Sequence, residues 1–244
     1  MTLALIEHPS PNFNARKGPV TTLVLHYTGM ETGQAALERL CDPDAGVSAH
    51  YLVEEDGRIF QLVDEAERAW HAGVGTWKGQ DDMNSASVGV EIVNGGHDFG
   101  LPPFPDAQID AVIALSRHVI ERHGISASHV IGHSDMAPAR KQDPGERFPW
   151  DRLADQGVGA FPRTVPKGEG MALHQIADAS DGIAHLRRDL SQIGYGVSPE
   201  GVFDRELEAV ITAFQRRYRP WRIDGVVDQQ TKARIGQVLE GVAP

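Results

Sequence analysis

A chain of 244 residues holds one large domain, or a medium domain with a small companion. Its 41% hydrophobic and 23% charged residues fit a globular protein and exclude a disordered one. A formal net charge of -11, with no long Lys/Arg-rich run, argues against a nucleic-acid partner. No stretch approaches the ~18 apolar residues of a transmembrane segment. The basic pairs Arg187-Arg188 and Arg216-Arg217 sit in helix-like stretches and read as solvated faces. One cysteine, Cys41, rules out an intrachain disulfide. It follows an apolar run and reads as a small hydrophobe rather than a nucleophile.

In chain order, the N-terminal MTLALIEHPSPNFNARKGP lacks a basic n-region and a signal-length apolar stretch. VTTLVLHYT, residues 20–28, is apolar and β-branched and predicts a buried strand. A helix is expected over 32–41, stopped by Asp42-Pro43-Asp44. The runs 50–54 and 58–63 flank Asp56-Gly57, a strong hairpin signal. SVGVEIVN, residues 87–94, predicts a second central strand. Apolar positions at helical spacing give a long helix over 106–123 with Gly124 as its stop. A short strand over 129–132 runs into the polar loop SDMAPARKQDPG, and Trp150 opens a short helix. Interleaved strands and helices predict an α/β domain with a central mixed β-sheet flanked by helices, over residues 1–156.

Residues 157–173 are rich in Gly and Pro and read as a linker. The remainder, 174–244, predicts a second, small three-helix domain, with helices near 182–193, 204–218 and 228–239. SPEGVFDRELEAVI and RIDGVVDQQTKARI look alike, each with an Asp (Asp204, Asp228) where an N-cap belongs. The pair suggests an internal duplication of a loop–helix unit, or simply two ordinary capped helices.

Eleven histidines make any single one uninformative, so position decides. His26 ends the most apolar strand, His133 follows another, and Asp143 lies ten positions later in KQDPG. Two imidazoles and a carboxylate form the ligand set of a catalytic zinc site with its fourth position open. No H-E-x-x-H motif is present, so these ligands come from strand ends and a loop. By spacing alone the set is not specific. Glu91 adds to it, being a carboxylate inside an otherwise apolar strand. It reads either as a structural partner of an arginine or as a general base whose pKa is raised by burial. Lys141, two residues before Asp143, shares its side of an extended loop and is either a solvated lysine or an oxyanion stabiliser.

VLHYT, SVGVEIVN and GHSDMAPARKQDPG, together with VSAHYLVEEDGRIFQLV and the segment Trp70-His71-Ala72-Gly73, resemble the zinc-dependent N-acetylmuramoyl-L-alanine amidases of the AmpD/AmiD type. The resemblance covers roughly residues 6–155. It implies one Zn2+ per chain held by His26, His133 and Asp143, with Glu91 as catalytic acid/base and Lys141 as oxyanion stabiliser. Some relatives carry Cys at the third ligand, where this chain has Asp. The C-terminal part resembles the small helical peptidoglycan-binding module through Leu186–Tyr195, GVFD, AFQ and DGVVD with Thr231. That module usually carries Gly after its first Phe, where Asp204 stands here.

The activity implied is hydrolysis of the amide between N-acetylmuramic acid, or its 1,6-anhydro form, and L-alanine in peptidoglycan or muropeptides. Trp70, His71, Ala72 and Gly73 are expected to line the substrate groove. Arg140 is expected to meet a stem-peptide carboxylate, and His50 to contribute to the substrate site or stand behind it. One alternative is a peptidoglycan sensor without turnover, which retention of all three candidate ligands argues against. Another is zinc hydrolysis of an amide within the stem peptide. The absence of a signal favours the cytoplasm, and the wall-binding module favours the cell envelope.

Overall fold

The structure, a computed structural model, describes residues 3–164 and 172–242. Residues 165–171, the centre of the expected linker, lie outside the described residues. Strands β1 (Leu5–Glu7), β2 (Phe13–Ala15) and β3 (Thr22–Tyr27) lead into helix α1 (Gly33–Cys41). Strands β4 (Tyr51–Val53), β5 (Ile59–Gln61) and β6 (Glu67–Ala69) follow. Helix α2 (Met83–Ala86) runs directly into β7 (Ser87–Ile92), then come α3 (Asp106–His123), β8 (Val130–Gly132), α4 (His133–Met136) and α5 (Trp150–Asp155). Helices α6 (Asp181–Ile193), α7 (Arg205–Tyr218) and α8 (Gln229–Val242) complete the chain.

Six strands form one mixed sheet in the order β1-β5-β4-β7-β3-β8. β4 and β5 are the antiparallel hairpin expected around Asp56-Gly57, with Gly57 at φ 88° in its turn. β4, β7, β3 and β8 run parallel, which requires crossovers. β2 and β6 pair separately. These two short strands, exposed or half-buried except at Ala69, carry no alternating apolar pattern, and neither they nor β1 are predicted from the sequence.

The sheet buries two different faces. Leu23, Leu25, Val88, Val90 and Ile92 point toward α3, where Ile109, Val112 and Val119 meet them. Gly124, at φ 67°, ends that helix as expected. On the opposite face α1 packs through Ala36, Leu37 and Leu40 onto Leu52 and Phe60. Val24 and Ile131, also on this second face, join a core shared with Ile193, Tyr195 and Phe214 of the C-terminal helices. That shared core joins the two halves into one packed body.

Two readings of the sequence are corrected here. Arg187 and Arg217 do not lie on solvated faces: their side chains are 1% and 4% exposed and each pairs with a carboxylate. Helical spacing shows which face a residue occupies but not whether a carboxylate waits there; Arg188 is exposed as expected. Residues 157–164 of the expected linker are packed rather than free. Val158 is fully buried, Phe161 stacks on Tyr218, and Arg234 donates to the Pro162 and Thr164 carbonyls. The two similar C-terminal stretches do share a construction. Asp204 accepts from Leu207 N at 2.9 Å and pairs with Arg187. Asp228 accepts from Thr231 N at 2.8 Å and pairs with Arg219.

Candidate active site

The site forms where β3, β7 and β8 end, as expected for an open α/β sheet. Leu23 and Leu25 face α3, so strand alternation turns His26 to the other face. The β3–β7 register sets His26 beside Glu91, and Val88 and Val90 on the α3 side put Glu91 on the same face as His26. β8 pairs Gly132 with Leu25, and the next residue, His133, arrives beside His26. Asp143 comes from the loop after α4, whose backbone is tied back by Ser134 N donating to Asp143 O at 3.0 Å.

Three donor atoms converge. His26 Nδ1 and His133 Nδ1 are 2.9 Å apart, and each is 3.0 Å from Asp143 Oδ2. All three residues are buried, and the group could hold a metal ion. The far side of each ring fixes which nitrogen carries the proton. His133 Nε2 lies 2.9 Å from the Ala72 carbonyl, which only accepts, so the neutral ring keeps its hydrogen there and leaves Nδ1 bare. His26 Nε2 is 3.0 Å from His71 Nδ1, and His71 Nε2 is 3.3 Å from Ser87 Oγ, which itself donates to the Met83 carbonyl. That relay ends on an acceptor, so each hydrogen points away from the site and His26 Nδ1 is bare as well. Burial, followed by the charge of His133, pushes His26 down to about 4, so the ring is neutral at neutral pH. Burial opposes ionisation of Asp143, but a protonated His133, and after it a protonated His26, would hold it well below the ordinary carboxylate range; with both Nδ1 atoms bare, a bound cation is the charge that would offset its burial.

Glu91 behaves in the opposite way. Burial, with the Asp143 charge added, pushes its pKa well above the usual value, while Lys141 acts against that shift. Its Oε2 is buried and finds no hydrogen-bond partner among the described residues. Two acids at one site therefore have opposite protonation preferences. A groove of about 390 Å³ opens above them, lined by Tyr27, Trp70, Glu91, His133, Lys141 and Asp143 among others.

The remaining expected residues divide. Trp70 lies on the groove and is pinned by its indole N–H donating to Asn14 Oδ1 at 2.8 Å. Arg140 also borders it, but its Nη2 donates to the Ala72 and Val74 carbonyls at 2.9 and 2.6 Å. Gly73, at φ 61°, makes the turn that presents both carbonyls. Ala72 is fully buried, so its part is the carbonyl that orients His133. His71 touches the groove at one edge, but its ring is spent on the relay behind His26. Gly89 is what allows this: a methyl there would overlap the His71 ring.

His50 stands behind the site, the second of the two places expected for it: it is fully buried, Gly89 N donates to its Nδ1 at 2.9 Å, and it does not line the groove. Burial and then the Arg16 charge push its pKa down to about 3. An unfolded histidine titrates near 6.5, so the unfolded chain binds the extra proton between these values. Stability is then complete above pH 6.5 and is lost as pH falls toward 3, by up to about 1.4 kcal/mol per pH unit for this group. Unfolding midpoints of metal-free protein across that range should fall with acid. His50→Gln should make the fall shallower, and an unchanged slope would remove His50 from the account.

Ser87, Met83 and Tyr27 are groups the sequence did not flag. Tyr27 OH lies 2.9 Å from His97 Nδ1, and His97 Nε2 lies 3.0 Å from Glu146, closing one wall of the groove.

Known proteins resemble this chain in sequence and in fold. A family model described as N-acetylmuramoyl-L-alanine amidase matches residues 16–146, and one described as a putative peptidoglycan binding domain matches residues 179–235. N-acetylmuramoyl-L-alanine amidase AmiD of Escherichia coli is 39% identical over 236 residues, covering 91% of this chain and 83% of that protein. The structure of E. coli AmiD in complex with the substrate anhydro-N-acetylmuramic acid-L-Ala-D-gamma-Glu-L-Lys superposes with a TM-score of 0.79 at 36% identity, covering 94% of this chain and 93% of that one. AmpDh3 of Pseudomonas aeruginosa, in complex with anhydromuramic pentapeptide, superposes with a TM-score of 0.76 at 30% identity, covering 92% and 93% of the two chains.

Proposed function

Because the chain belongs to the N-acetylmuramoyl-L-alanine amidase family, we propose that it hydrolyses the amide joining N-acetylmuramic acid, or its 1,6-anhydro form, to the L-alanine of the stem peptide. The observation that carries the reading is the meeting of two bare imidazole nitrogens and a carboxylate beside a half-buried glutamate whose Oε2 has no partner among the described residues. The donor set suits zinc. The three donor atoms stand 2.9–3.0 Å from one another, and two imidazoles with one carboxylate are the protein ligands of many catalytic zinc sites. His26, His133 and Asp143 would hold the ion, with the groove supplying the open side. Zinc bound there supplies a Lewis acid for the scissile carbonyl and lowers the pKa of a water toward about 7.

The chain's own residues do the rest. Glu91 accepts a proton from the attacking water and returns it to the leaving nitrogen of L-alanine. Burial raises its pKa, which makes its carboxylate a stronger proton acceptor than an exposed one. Lys141 faces the same groove, and its ammonium stabilises the negative charge that develops on the lactyl carbonyl oxygen. Lys141→Met is expected to lower kcat by about 10²–10³-fold, the cost of removing one oxyanion donor, with KM little changed. A kcat within twofold of the unaltered chain would remove Lys141 from the mechanism. Trp70 offers an aromatic wall to the sugar or stem. In this reading the C-terminal region, residues 174–244, takes peptidoglycan as its ligand while its helices stay packed on the first domain through the shared core.

The test is a digest of 1,6-anhydro-muropeptide read by mass spectrometry, with chelator and after added zinc. Free stem peptide and intact sugar, lost on chelation and restored by zinc, are expected. Intact substrate with folded, zinc-loaded protein would favour a sensor instead.

A further inference from the structure

Asp135 lies two residues after His133, in the single turn of α4, and is 1% exposed. Its Oδ2 accepts from Gly132 N at 2.8 Å, which closes the turn around His133. Among the described residues of the N-terminal domain no cation pairs with this buried carboxylate. The C-terminal helices answer it. Arg217 of α7 donates to Asp135 Oδ2 at 2.6 Å, and Tyr195, just past α6, donates to Asp135 Oδ1 at 2.8 Å. The second Arg217 nitrogen, Nη2, donates to the Val130 carbonyl at 3.0 Å, at the start of β8. Arg217 therefore grips the chain three residues before His133 and two residues after it.

The grip is rigid. The Arg217 guanidinium lies over the Trp150 ring at 4.1 Å and over Tyr218 at 4.8 Å. Burial and the Asp135 carboxylate keep the Tyr195 phenol protonated, hence a donor. Tyr195 is itself wedged edge-on against Trp77, and Lys78 N donates to the Gly194 carbonyl at 2.8 Å.

We propose that Arg217 and Tyr195 are positioning residues for the metal site: acting through Asp135, they fix the turn that aims His133 Nδ1 at the ion. The C-terminal helices then do more than hold a ligand of their own, because they complete the support of a metal ligand in the other half of the chain. This inference rests on the metal-hydrolase reading above. Its mechanism is the orientation of a first ligand by partners outside it, whose loss typically weakens metal binding by about 10–100-fold.

The experiment uses full-length variants. Zinc affinity is read by competition with a chromophoric chelator, ligand geometry by the absorption spectrum of the cobalt(II) form, and kcat and KM on 1,6-anhydro-muropeptide. Arg217→Met is expected to weaken zinc binding by about 10–100-fold, shift the cobalt spectrum, and lower kcat with little change in KM. Tyr195→Phe, which deletes one oxygen, is expected to move the same readouts in the same direction by less. Should Arg217→Met not fold, Tyr195→Phe decides the matter alone. Arg187→Met is the control: it breaks the pair between buried Arg187 and half-exposed Asp204, inside the C-terminal helices and away from Asp135. It should leave zinc affinity and the cobalt spectrum unchanged. The proposal is overturned if the folded Arg217 and Tyr195 variants bind zinc as the unaltered chain does, or if Arg187→Met weakens binding as much. Failure of the underlying reading is a separate result, in which the unaltered chain itself binds no zinc and releases no stem peptide.

Discussion

Glu91→Gln is expected to reduce turnover of 1,6-anhydro-muropeptide by about 10²–10⁴-fold, the range for loss of a positioned acid/base, with zinc affinity retained. Glutamine keeps the shape of the side chain and both polar atoms but can neither take a proton from water nor deliver one to nitrogen. Three features give Glu91 this role. It stands beside His26 in the sheet register, on the face that carries the donor atoms. Its Oε2 has no partner among the described residues, so nothing in the fold consumes it. Burial and the Asp143 charge raise its pKa. A structural glutamate would be satisfied by an arginine or a backbone N–H, and its loss would show as instability. The measurement is kcat together with zinc stoichiometry and thermal midpoint. Turnover near that of the unaltered chain, or loss of zinc along with activity, would contradict the assignment.

Asp143→Asn is expected to abolish zinc-dependent turnover through loss of the ion itself. Asp143 is the only one of the three donors that can carry a negative charge. Asparagine preserves the oxygen and the volume, so the change isolates charge from shape. Without that charge, two neutral imidazoles must hold a divalent cation in a buried site. The loss should exceed the about 10–100-fold typical of removing an outer partner. Equilibrium dialysis against micromolar zinc should find the variant largely metal-free and inactive, with activity partly regained at high zinc. Full zinc occupancy at micromolar levels would place the third ligand elsewhere.

Much of this site could be read from residue order. β3 and β7 are continuous apolar runs, so a His and a Glu inside them stand out. α3 has a full apolar face and a glycine stop, and its bounds match the expectation. What the sequence hid is the layer behind the ligands. The relay from His26 through His71 to Ser87 joins positions 45 and 16 residues apart, and neither spacing has a pattern. His50 and His71 both follow apolar or small residues near the ligand strands, yet only three-dimensional packing separates a buried structural ring from one at the groove's edge. Arg217 and Asp135 are 82 residues apart, and a paired basic dipeptide on a helix gives no hint that one member is buried. β1, β2 and β6 escaped because, unlike the equally short β4, β5 and β8, they are neither buried apolar runs nor flanked by an Asp-Gly turn.

The most direct test of the account is hydrolysis of 1,6-anhydro-muropeptide in H2(18)O by the zinc-loaded protein, with both products weighed. The account predicts one heavy oxygen in the lactyl carboxylate of the sugar and a stem peptide with a free L-alanine amine and no label. Heavy oxygen in a stem-peptide carboxylate, with the sugar still joined to L-alanine, would move the scissile bond into the peptide and contradict it.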